Sequence, residues 1–179
     1  MSIQRQSIIV DGQRFNYSIS PEQIASVVAK VGSYSFAEMT RRFDDIHAAQ
    51  PAVLGAAVQL PSLGVDLKIV DHALHVVLLL FEIFSEHVPT IQKITPDAVQ
   101  KAFDDIESML RFYDGESDAD AHRLQKIWMS NHREHAVLAF VIGTLNAELS
   151  APTREQDLVR NCCLAMTNAY LFAYDATQE

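Results

Sequence analysis

From Ser20 onward, apolar positions along the chain fall at helical spacing, separated by short polar or proline-bearing breaks. Ser20-Pro21-Glu22-Gln23 offers an N-cap, a proline at the first helical position and a capping-box glutamine, and Gly32 ends the helix so begun. A second helix covers Phe36 to Ala49, with Phe36, Met39, Phe43 and Ile46 on one face, and Pro51 and Pro61 bracket a short third. The stretch from Asp66 to His87 predicts a long helix that is apolar around most of its circumference and stops at Pro89. Thr95-Pro96-Asp97 opens the next helix, which extends to about Tyr113. After the acidic turn Asp114 to Asp118, a helical stretch runs from Ala119 to Leu149, with a break expected near Asn131, where Asn131 and Glu134 have capping-box spacing. Thr153, with Gln156 three residues on, opens the last helix, which runs to about Tyr174.

Ahead of the helices, Ser7 to Ile19 alternates β-prone residues around Asp11-Gly12, a strong short hairpin signal because glycine accepts positive φ without strain. The expectation is therefore an all-α bundle of six to seven helices, packed around a central apolar helix over residues 66–87 and preceded by a small N-terminal β-hairpin. Residues 1–179 read as a single helical domain, with 7–19 as an appendage.

Composition narrows the class. Hydrophobic residues make up 49% and charged residues 21% of the 179 positions, which suits a packed core and argues against disorder. The 14 Lys and Arg are scattered among 23 Asp and Glu, for a formal net charge of −9. Nucleic-acid binders present a concentrated basic face, whereas the only tight basic pair here, Arg41-Arg42, is followed at once by Asp44-Asp45. The charge balance thus argues against nucleic acid and anionic membranes and favours a basic protein partner. Asp66, Lys68, Asp71, Glu82 and Glu86 make the longest apolar stretch too polar for a membrane span, and the N-terminus lacks a secretion signal. Adjacent Cys162 and Cys163 diverge by about 100° on a helix, which precludes a comfortable mutual disulfide, so they read as reduced, packed thiols of a cytoplasmic protein.

Candidate chemistry concentrates on one helix. On a wheel of the 66–87 helix, Lys68, Asp71, His75, Glu82 and Glu86 fall within about 60°, a narrow polar seam on an otherwise apolar cylinder. The seam is either a solvent-facing strip or the lining of a polar cleft inside the bundle. In the second case Asn131 and His135, which share the apolar face of the following long stretch with Leu124, Trp128, Leu138 and Ile142, are the partners that would meet it. Asp71, His75, Glu82, Asn131 and His135 are accordingly the candidate ligand-binding residues. His72 with His75, and His132 with His135, are spaced three apart and are the candidate metal ligands. No Glu-x-x-His or His-Glu-x-x-His motif accompanies them, and within each pair the side chains diverge. The acidic turn at Asp114, Glu116, Asp118 and Asp120 has its glycine in the wrong place for a calcium loop.

Phe43-Asp44-Asp45-Ile46 recurs as Phe103-Asp104-Asp105-Ile106, a pattern that amphipathic helices produce without a repeat. Phosphate-cradling glycine loops and nucleophile elbows are absent from the sequence. The leading expectation is a non-enzymatic, acidic, helical protein-binding module with a regulatory or neutralising role toward a basic partner, and no cofactor. A metal- or small-molecule-binding bundle, possibly an enzyme, that uses the His/Asp/Glu seam is the first alternative. A structural homo-oligomer is the second, because the last helix is apolar nearly all round and, if peripheral, would offer a face for self-association.

Overall fold

A computed structural model of the chain describes residues 6–10, 13–17, 19–88, 91–113 and 134–176; for 6–17, 112–113 and 175–176 the backbone alone is described. Ahead of the helices, the backbone of Gln6–Val10 pairs antiparallel with that of Gln13–Tyr17, and the turn expected at Asp11-Gly12 lies outside the described residues.

Seven α-helices among the described residues build the bundle. They are α1 (Pro21–Gly32), α2 (Phe36–Ala49), α3 (Pro51–Val58), α4 (Leu67–His87), α5 (Pro96–Tyr113), α6 (His135–Glu148) and α7 (Arg154–Ala176). Local chemistry sets most of their starts. Ser20 accepts from the Gln23 amide while the Gln23 side chain takes the Ser20 N–H, and Ser35 with Glu38 repeats this reciprocal cap on α2. Asp66, Thr95 and Thr153 each accept a backbone N–H of the first turn that follows them. Between α3 and α4 a 3₁₀ turn, Leu60–Leu63, closes on Gly64 at φ 89°, a left-handed conformation that favours glycine. The break expected near Asn131 is followed by α6, which begins at His135; Asn131 itself lies outside the described residues.

The 66–87 helix is a spine, as its pattern requires: Val70, Ala73, Val76 to Leu80, Ile83 and Phe84 are all buried. It packs against α1, α2, α3, α6 and α7. α5 packs chiefly on α7 and α3 rather than on α4. One expectation changes. The last helix, α7, is not peripheral. Enclosed by α3, α4, α5 and α6, it buries Val159, Cys162, Cys163, Met166, Ala169, Tyr170, Leu171 and Tyr174, with Tyr170 stacked on Phe84 at 5.0 Å between ring centroids. The all-round apolar character of α7 is thus met within one chain, which removes the ground for expecting self-association through it. Phe36 corrects a smaller reading. It is 82% exposed, because it stands at the first position of α2, beyond the neighbours that cover Met39, Phe43 and Ile46.

The two Phe-Asp-Asp-Ile segments adopt the same disposition, with phenylalanine half-buried, both aspartates exposed and isoleucine buried, as amphipathic patterning alone demands. No helix among the described residues is long and apolar enough to cross a membrane.

Candidate functional site

The small side chains of α3 leave a gap in the bundle. Pro51, Ala52, Gly55, Ala56 and Gln59 line up on one face of this helix, and a Cβ built on Gly55 would meet nothing within 4 Å. Opposite them stands α5, which contributes Val99, Phe103, Ile106 and Leu110, while Leu158 and Cys162 of α7 also line the groove and Leu60 and Leu63 belong to its α3 side. The groove has a volume of about 750 Å³, within the range of roughly 300–1,000 Å³ typical of ligand sites. Leu63 and Leu110 are 56% and 39% exposed, so apolar surface continues from the groove to its edge.

Its polar lining is sparse and one-sided. Among the described residues, Asp104 and Glu107 of α5 are the only charged ones that line it, with Gln59, Gln100 and Asn161 as amides. The Gln100 amide donates to Asp104 Oδ1 at 2.9 Å, and Arg111 pairs with Glu107 at 2.5 Å on the exposed face of α5. Cys162, buried among apolar groups, has its thiol pushed up to about 12, and burial pushes Cys163 up as well. Both are free thiols. Neither is an activated nucleophile.

The seam on α4 does not form one cleft. Lys68, Asp71 and His75 are exposed, so the first half of the seam is a solvent-facing strip. Half-buried His72 meets Glu148 of α6, its Nδ1 lying 2.8 Å from Oε2, rather than converging with His75. Two turns beyond His75, Glu82 is fully buried. Lys30 of α1 donates to its Oε2 at 3.0 Å and Arg42 of α2 donates to its Oε1, with the Tyr34 hydroxyl close by between those helices. Lys30 also pairs with Glu86, and Arg42 pairs with Asp45 at 2.7 Å while lying over the Phe81 ring. Burial alone pushes the Glu82 carboxyl upward, but the hydrogen bonds from Arg42 and Lys30 outweigh it and hold it below the ordinary value of 4.5. The result is an ionic clamp joining α1, α2 and α4, with both carboxylate oxygens engaged.

Half-buried His135 opens α6, beside buried Glu134, whose Oε2 accepts the Ile19 N–H at 3.0 Å. Asn131 and His132 lie outside the described residues, as does the acidic turn at 114–120. Among the described residues, no group of three or more His, Cys, Asp or Glu side chains is placed to hold a metal ion. Comparison with protein-family models, curated proteins and solved structures finds no match.

Sequence reasoning found Glu82 but not Lys30, Tyr34 or Arg42, its partners. It also passed over the groove. Two signals pointed there: α3 is a helix without a charged residue that keeps small residues at Ala52, Gly55 and Ala56 on one face, and the second Phe-Asp-Asp-Ile segment supplies Phe103, Asp104 and Ile106 to the opposite wall.

Proposed function

We propose that this chain is a non-enzymatic protein-binding module that engages a basic partner through the groove between α3 and α5. The observation that carries the reading is the groove's chemistry: apolar walls open to solvent, with Asp104 and Glu107 as the only charges among the described lining residues. Apolar contact supplies affinity there, and the acidic rim selects for cations and speeds encounter. The net charge of −9 adds a long-range field of the same sign. The reading places the protein in a reducing, cytoplasmic setting, where the buried thiols of Cys162 and Cys163 persist.

Site-specific photo-cross-linking in the native cell tests it. A photoreactive residue replacing Gln100 should capture a protein of net positive charge, and capture should fall when Gly55→Phe fills the groove. The same residue at Ala29 of α1, away from the groove, should not capture that protein. Capture that is equal from both positions, or that survives Gly55→Phe, refutes the reading.

A further inference from the structure

We infer that the groove's occupant is a single basic amphipathic helix presented by the partner protein. This inference rests on the docking reading above and specifies what docks. Both walls are helices, whose backbone groups are satisfied along their own axes, so the groove has no strand edge to pair with an extended peptide. Gln100, the amide on the α5 wall, is engaged by Asp104. A segment entering such an apolar trough must satisfy its own N–H and C=O groups, which a helix does and an extended chain does not.

The dimensions agree. The lining positions of α5 run from Pro96 to Leu110, about 21 Å at 1.5 Å per residue, which matches four turns of an incoming helix. On the facing wall, Ala52, Gly55 and Ala56 present almost no side chain, so an incoming helix can approach α3 closely. Asp104 and Glu107 stand one turn apart on α5, the spacing at which Lys or Arg three or four residues apart on a neighbouring helix meets both, with Glu107 exchanging its exposed partner Arg111 for the incoming cation. A second copy of this chain is a poorer occupant, because a net charge of −9 on each copy sets like charges against each other.

The test uses the full chain and a fluorescein-labelled 18-residue Leu/Lys peptide with an apolar stripe at helical spacing, read by fluorescence anisotropy. Saturable one-to-one binding is expected, with the peptide gaining helical circular dichroism. Gly55→Phe should weaken it at least tenfold, and Asp104→Asn with Glu107→Gln about fivefold. The charge-matched pair Asp44→Asn with Asp71→Asn, both exposed and outside the groove, should change it less than twofold. A peptide of the same composition with leucines spread around the helix should bind at least tenfold more weakly, and a Leu/Glu version should not bind.

Equal binding of the striped and spread peptides, equal loss from the two charge-neutralised pairs, or indifference to Gly55→Phe overturns the inference. So does absence of binding by the Leu/Lys peptide. If that happens while cross-linking from Gln100 remains sensitive to Gly55→Phe, the occupant is wrong and the docking site stands. If both fail, the groove is not a docking site. Circular dichroism of Gly55→Phe separates a filled groove from an unfolded chain, and the Asp104/Glu107 pair, lying on the surface, keeps the test decisive in either case.

Discussion

Replacing Glu82 by Gln removes the fully buried negative charge of the clamp at nearly constant volume. Breaking a buried ion pair by deleting one partner costs about 3–5 kcal/mol when the survivor stays buried. Here the survivors are partly wet, since the side chains of Lys30 and Arg42 retain 44% and 25% of their exposure and can turn toward water. The amide oxygen also keeps one acceptor for Arg42. The loss should therefore lie at about 2–3 kcal/mol, which for a chain of this size lowers the thermal midpoint by about 4–12 °C. Because the folded-state pKa of Glu82 lies below its unfolded value, the folded form binds fewer protons there. Its contribution is complete above about 4.5 and is lost as pH falls through the folded value. The gap between wild type and Glu82→Gln should thus be widest near neutral pH and shrink in acid. Urea unfolding across that range measures it, with Glu86→Gln as a control at the exposed edge that costs less than about 1 kcal/mol. A loss under about 1 kcal/mol for Glu82→Gln, or one that does not change between neutral and acid pH, would refute the view that charge holds this junction together.

Three further outcomes are expected. Gly143→Ala in α6, where a Cβ meets nothing within 4 Å, should stabilise the fold by about 0.5–1 kcal/mol in denaturant titration. Ser35→Ala removes the acceptor for the Glu38 N–H at the start of α2 and should cost about 1 kcal/mol in the same assay. At mildly alkaline pH, the Cys162 thiol, pushed up to about 12 from an ordinary 9.0, should react with a thiol-specific disulfide reagent about a thousandfold more slowly than a free cysteine. Full reactivity should return in denaturant, and fast labelling of the native chain would contradict the packing of α7.

Helix boundaries were legible in the sequence because their causes are local. Ser20-Pro21, Gly32, the proline pair around α3, Asp66 and Thr95-Pro96 each act within a turn of the helix they delimit, and α4 announced itself as a spine by having apolar residues on every side but one. The polar seam on α4 was equally visible, yet its chemistry was not. Lys68, Asp71 and His75 face water while Glu82, on the same stripe, is sealed by cations 40 and 52 residues earlier in the chain. Helical periodicity records the direction in which a side chain points along its own helix and holds no information about which distant element lies in that direction. The C-terminal helix makes the same point in reverse: its apolar circumference was plain, but whether α3, α4, α5 and α6 or a second copy would cover it depended on how the helices close around one another. The groove itself, as distinct from the small-residue face and the Phe-Asp-Asp-Ile segment that line it, was decided by tertiary structure. It exists because a helix of small residues is held opposite Phe103, Ile106 and Leu110, and a gap is a property of two surfaces kept apart by the rest of the core, which neither sequence segment encodes separately.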